Sequence, residues 1–153
     1  MITFRIALKK YIHDLSGTGS FLYGGRWSLK GIQALYTANS RSLAYLEFLV
    51  HQLDKTSRPS GVFISAIEIK NPEKIIRIEQ SQLPIDWQNI EFRREVQETA
   101  SKYFTLETLG IEVPSVIVLE ESNIILNPQF KGFNNLVNIK SIDPLNIDKR
   151  FNL

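Results

Sequence analysis

Cysteine is absent from the 153 residues, which removes disulfides, thiolate metal sites and cysteine nucleophiles together. Histidine is scarce. His13 and His51 are the two present, their separation is not that of a ligand pair, and no metal site is expected. No apolar run reaches the length of a membrane span. The opening Met-Ile-Thr-Phe-Arg-Ile-Ala lacks the charged-then-apolar order of a secretory signal. Nor is there a basic block: Lys and Arg number 18 against 16 Asp and Glu, for a formal net charge of +2, too mild for a nucleic-acid arm. What remains, 43% hydrophobic and 22% charged residues, is the composition of an ordinary globular protein. The expectation is one domain over 1–153, cytoplasmic, with no metal, no membrane contact and no direct nucleic-acid contact.

Periodicity predicts short strands at Thr3–Ala7, Ala34–Thr37, Val62–Ile69 and Lys74–Ile78. Further strands are expected at Val113–Leu119, opened by Pro114, at Ile124–Asn127 and at Leu136–Ser141. A helix capped by Asn39 or Ser40 should run to His51–Asp54, and a second should cover Phe92–Thr108 with Gly110 as its stop. Ser16–Ser20 and Thr56–Gly61 read as a loop and a turn. Strands outnumber helices without alternating with them, so the fold class expected is α+β, a compact domain around a central antiparallel or mixed sheet.

The segment Tyr23–Val50 carries the chemistry. Glu47 is out of place there: Leu43 and Val50 lie on its own helical stripe, and a carboxylate on an apolar stripe is costly unless paired or used. A buried ion pair with an arginine is the plain alternative. Arg26 follows Gly24-Gly25, where backbone can approach an anion and a guanidinium can fork onto it; a hairpin would use the same glycines. Trp27 fits the core. Tyr36 could stack on a flat ring or fill the core with its hydroxyl bonded locally. Arg5 is by alternation a solvent-facing strand residue. Ser115 sits at a strand start with no nucleophile elbow around it, and both histidines read as structural or surface residues.

Taken in order, these residues resemble the RES-domain family, the toxin half of RES–Xre toxin–antitoxin pairs. Phe4-Arg5-Ile6 is similar to its opening strand arginine. Gly24-Gly25-Arg26-Trp27, Gly31 and Leu35-Tyr36-Thr37 are similar to its glycine-arginine-tryptophan and tyrosine segment, and Ala44-Tyr45-Leu46-Glu47 to its helix glutamate. Leu83-Pro84 with Trp87, Val113-Pro114-Ser115, Asn123–Pro128 and Ile147-Asp148-Lys149-Arg150 continue the pattern. Three departures stand out: Ser28 replaces an asparagine, Gln129 replaces a histidine, and the glycine-tryptophan of the central helix is missing around Ala100–Phe104.

The resemblance implies an ADP-ribosyltransferase-like fold, NAD+ as substrate, and an Xre-type helix-turn-helix antitoxin as partner, with a homodimer left open. It implies an enzyme that degrades NAD+ by hydrolysis or phosphorolysis; the alternative is transfer of ADP-ribose to a protein. Cleavage of the nicotinamide–ribose bond passes through an oxocarbenium-like state, and nicotinamide leaves as a neutral ring, so one carboxylate suffices. Glu47 is then the catalytic carboxylate, Arg5 and Arg26 bind phosphate or ribose, Tyr36 stacks, and Ser115 makes a polar contact. A non-enzymatic RNA- or protein-binding module is the competing class, disfavoured by the mild charge.

Overall fold

The computed structural model describes residues 1–51, 61–89, 93–148 and 150. Seven strands form one sheet: β1 Ile2–Leu8, β2 Leu35–Ala38, β3 Val62–Ile69, β4 Ile75–Arg77, β5 Gly110–Pro114, β6 Ser122–Leu126 and β7 Val137–Pro144. Their order is β4-β5-β6-β2-β1-β3-β7. Only the β4–β5 pair is parallel; the other pairings described are antiparallel. The helices are α1 Thr18–Tyr23, α2 Arg41–Val50, α3 Arg93–Ser101 and α4 Phe133–Leu136. The expected α+β class with a mixed sheet is what the chain forms.

Strand alternation divides the core between the two faces of the sheet. Ile111, Val113 and Ile125 point to one face, where Trp27, Trp87 and the α3 residues Val96 and Ala100 cover them. Leu35, Ile124 and Leu126 point to the other, against Ile67, Ile69, Phe130 and Phe133. Each aliphatic side chain so buried contributes about 1.5–3 kcal/mol. Trp27 is core, as expected, and its ring lies 5.7 Å from that of Trp87.

β1 and β2 are neighbours, yet their described pairing is at one position, Phe4 opposite Ala38. β1 instead pairs along its length with β3, from Ile2–Glu68 to Leu8–Val62, and β2 pairs with β6 from Leu35–Leu126 to Ala38–Asn123. The sheet therefore splits between β1 and β2. This split opens the cleft described below.

Several local expectations are corrected. Thr18–Tyr23 is a helical turn and a half, where Ser16–Ser20 read as loop; Gly17 at φ 70° leads into it, and Gly24 N–H closes it on Ser20 O. The second helix runs only over Arg93–Ser101. Gly110 does not stop it but starts β5, because a Cβ there would meet Ile125 O at 2.6 Å. Pro114 ends that strand instead of opening one, and residues beyond it turn back through Glu121 N–H to Val118 O. Most of the Thr56–Gly61 turn, the end of the α2 expectation beyond His51, and position 92 lie outside the described residues.

Candidate functional site

The central strands β6, β2 and β1 lie side by side and carry Asn123, Tyr36 and Arg5. α2 packs over them through Leu43 and Ala44, which meet Ala38, Phe4 and Ile6. Its start is fixed by Ser40, whose Oγ accepts from Leu43 N–H at 3.0 Å and donates to a Glu121 carboxylate oxygen. That cap places Glu47 two turns along, above the split sheet. The proposed apolar stripe does not hold. Val50 is 45% exposed and Glu47 half-buried, so this edge of α2 borders a cleft and not the core.

The cleft has two lobes. One, about 320 Å³, lies in the β1–β2 split and is lined by Arg5, Asp14, the Gly17–Ser20 turn and β2. The other, about 430 Å³, is lined by Gly24–Trp27, Val50, Arg93, Val116 and Ile117. Ser20, Tyr36, Glu47, His51 and Asn123 border both. Glu47 and the exposed His51, which caps the end of α2, thus stand at the junction; a structural or surface histidine is what the sequence led one to expect there.

Glu47 is held by one oxygen. Its Oε1 accepts from Asn123 Nδ2 at 2.6 Å and from Ser115 Oγ at 3.1 Å. Ser115 Oγ in turn accepts from the N–H groups of Ile117 and Val118, at 3.0 and 3.2 Å. Oε2 has no hydrogen-bond partner among the described residues. Ser115 is fully buried and borders neither lobe; its hydroxyl is spent on Glu47, where the expectation was a contact to ligand. Among the described residues no salt bridge includes Glu47, and there its charge is satisfied by hydrogen bonds. Asn123, which the sequence alone does not single out, belongs to this candidate site. The signal for it was available only through pairing, since the β2–β6 register sets it opposite Ala38.

Tyr36 meets the core expectation, packing against the Trp27 cluster with its hydroxyl bonded locally, and it also lines the cleft. Its ring borders the two lobes, while its hydroxyl belongs to a directed chain. Trp27 N–H donates to Tyr36 Oη at 3.0 Å, Tyr36 to Ser28 Oγ at 2.9 Å, Ser28 to Ser20 Oγ at 2.7 Å, and Ser20 to Ile32 O at 3.1 Å. Each hydroxyl donates once and accepts once. Burial pushes the Tyr36 phenol above its ordinary value, against the hydrogen bonds that favour the phenolate. Gly25 is explained by the same ring: a Cβ there would sit 2.2 Å from Tyr36 Oη. Ser28, a departure from the family pattern, is thus a working link in the chain. Gln129, another departure, bonds Gln33 on the surface and borders neither lobe.

Arg5 is not a solvent-facing arginine. It is half-buried, and its Nη1 donates to Tyr11 O at 3.0 Å and Ile12 O at 3.3 Å. Burial lowers its pKa, partly offset by nearby Asp14. Arg26 donates to Trp87 O at 3.1 Å. Its pKa is lowered by burial first and then by neighbouring Arg93, and Glu47 opposes both. The residues expected to form a site, Arg5, Arg26, Tyr36 and Glu47, therefore line one cleft, with Ser115 behind Glu47. Among the described residues no cluster of His, Asp and Glu is arranged to hold a metal ion, and no helix is long and apolar enough to cross a membrane. Chemically, the arrangement is one restrained carboxylate between a lobe that carries Arg5 beside Asp14 and a lobe that carries Arg26 and Arg93.

Comparison with known proteins agrees with the sequence pattern. Residues 2–148 match the RES domain. A protein of Photorhabdus laumondii named Toxin Res is 39% identical over 153 residues, covering 98% of this chain and 96% of the relative. A Toxin Res of Yersinia enterocolitica is 35% identical over 147 residues, covering 95% and 94%. A Sphingobium protein named Prs ADP-ribosylating toxin is 35% identical over 120 residues, covering 75% and 73%. The crystal structure of the M. tuberculosis MbcT-MbcA toxin-antitoxin complex contains a chain that superimposes with a TM-score of 0.72 at 14% identity, over 94% of this chain and 83% of that one. At that identity the likeness is one of fold.

Proposed function

The chain belongs to the RES-domain family, and from that premise we propose that it is the toxin of a toxin–antitoxin pair that cleaves NAD+ at the nicotinamide–ribose bond. The observation that carries the reading is Glu47, fixed through Oε1 by Asn123 and Ser115, with Oε2 free of hydrogen bonds among the described residues at the junction of two lobes that each carry arginine. A dinucleotide needs two connected compartments of ordinary ligand size with few polar anchors, and the lobes, about 320 and 430 Å³, are of that size. NAD+ is the substrate, and the reading requires no metal.

In the reaction the C1′–N bond of the ribose breaks and its electron pair leaves with nicotinamide, which becomes neutral. Positive charge develops on C1′ and the ring oxygen. The Glu47 carboxylate stabilises that charge or holds a ribose hydroxyl through Oε2. Because Oε1 is restrained beforehand, little reorganisation accompanies the step. The acceptor oxygen, from water or phosphate, then bonds to C1′, and a water acceptor releases its proton to Glu47 or to solvent. Tyr36 offers its ring face to a flat group, and Arg5 and Arg26 offer guanidinium forks to phosphate or ribose oxygens.

The test is release of free nicotinamide from NAD+ by the purified chain. Glu47→Gln should lower the rate about 10²–10³-fold, the cost of losing one pre-organised electrostatic contact. Absence of release from the parent protein, or full release from the variant, overturns the reading. A second reading, transfer of ADP-ribose to a protein, is favoured by the name of the Sphingobium relative; labelled NAD+ with cell lysate would then mark a protein band. The partner we infer is an Xre-type helix-turn-helix antitoxin, in keeping with the toxin-antitoxin complex that shares the fold. Co-expression of such a protein should abolish nicotinamide release.

A further inference from the structure

Arg93 appears in none of the motif segments, yet α3 brings it to the wall of the larger lobe beside Arg26. Each guanidinium is anchored by one N–H to a backbone carbonyl: Arg26 Nη1 to Trp87 O at 3.1 Å, and Arg93 Nε to Gly25 O at 3.3 Å. A guanidinium has five N–H donors, and among the described residues these two bonds leave most of both forks available. The salt bridges among the described residues include neither arginine. The carboxylate that Arg26 senses is Glu47, already engaged through Oε1. Two like charges held in one lobe repel unless an anion lies between them; burial lowers the pKa of Arg26 first, and Arg93 lowers it further.

We propose that Arg26 and Arg93 form a two-arginine phosphate site in the larger lobe, with α3 supplying the second arginine. Paired forks recognise a tetrahedral phosphate bidentately, which a single lysine would not. The same phosphate chemistry has two sources, the diphosphate of the dinucleotide or free inorganic phosphate acting as acceptor. Only this choice of source rests on the NAD+ reading.

Inorganic pyrophosphate and inorganic phosphate are titrated calorimetrically into the whole chain at low ionic strength, with no NAD+ present. Arg93→Gln should weaken the tighter of the two by about tenfold or more, the scale of a charge-assisted contact. Gln97→Ala is the control, because Gln97 Nε2 supports the same loop at Gly25 O and Ser28 O but carries no charge. Its affinities should stay within twofold of the parent. Neither anion binding to the parent, no loss in Arg93→Gln, or an equal loss in Gln97→Ala overturns the site. Steady-state rates then separate the sources. A raised KM for NAD+ with kcat kept assigns the substrate diphosphate, whereas loss of phosphate-stimulated turnover at unchanged KM assigns the acceptor. A chain that binds pyrophosphate but releases no nicotinamide would refute NAD+ cleavage and leave the phosphate site standing.

Discussion

A half-buried glutamate is tolerable when its charge is shared by directed donors, and here two of them converge on one oxygen. Asn123 and Ser115 both donate to Glu47 Oε1, so on the proposed reading they are positioning residues, Asn123 from the cleft wall and Ser115 from behind it. Asn123→Ala removes the shorter contact and leaves the carboxylate in place. The expected outcome is a kcat lowered about tenfold with KM little changed, since the lost interaction matters most as charge develops. Nicotinamide release measured across NAD+ concentrations checks it, and an unchanged kcat would refute the positioning role. Ser115→Ala should act similarly and also destabilise the chain by about 1–3 kcal/mol, because two backbone N–H groups lose their acceptor. Denaturant unfolding measures that cost. Glu47 drew notice in the sequence because a carboxylate between Leu43 and Val50 breaks an apolar pattern, and although Val50 is exposed and the stripe does not hold, the break marks the edge of the cleft. What satisfies Glu47 was not legible, because Ser115 and Asn123 reach it only through the β5–β6–β2 pairing.

Single elements are governed by close approaches that composition does not reveal. Gly110 read as a helix stop, since glycine commonly ends helices; its actual duty is to let β5 pass within contact of the Ile125 carbonyl. Gly110→Ala should therefore destabilise by about 1–3 kcal/mol in denaturant unfolding, as overpacking against backbone does. Pro114 was misjudged in a related way, since proline fits either end of a strand and β5 uses it last. The Trp27–Tyr36–Ser28–Ser20 chain binds α1, the glycine loop and β2 into one unit. Removing its phenol in Tyr36→Phe leaves Trp27 N–H without its acceptor, at about 1–3 kcal/mol. The same phenol gives a pH signature. Its folded pKa is raised by burial above the ordinary value of 10.0. Above that value the unfolded chain loses the proton while the folded chain keeps it, so the unfolded state binds fewer protons and stability falls as pH rises. This contribution is fully present below the ordinary value and lost toward the folded pKa. Unfolding midpoints should drop on the alkaline side, and the drop should be shallower in Tyr36→Phe; parallel curves would exclude Tyr36 as its source.

At the scale of the whole molecule, the site exists because one sheet is divided between two partners. β1 is committed to β3 and β2 to β6, so the sheet parts where the two halves meet, below Phe4–Ala38. Brief strands and few helices were readable from alternation and β-branched content, and so was the α+β class. The split was not, because strand periodicity assigns faces and says nothing about which edges pair. A cleft built this way leaves the lobe at β1–β2 dependent on what fills it. A ligand that bridges both lobes should then stabilise the whole chain by mass action, by about 2.7 kcal/mol at a hundredfold excess over Kd. For a domain of this length that corresponds to a Tm rise of roughly 5–10 °C. Glu47→Gln, in which turnover should be slow, is the form in which to measure it with NAD+ by thermal unfolding. ADP-ribose, lacking the nicotinamide, should give part of the rise, and nicotinamide alone less. If NAD+ raises Tm no further than nicotinamide does, a single lobe accounts for binding and the two-lobed site is refuted.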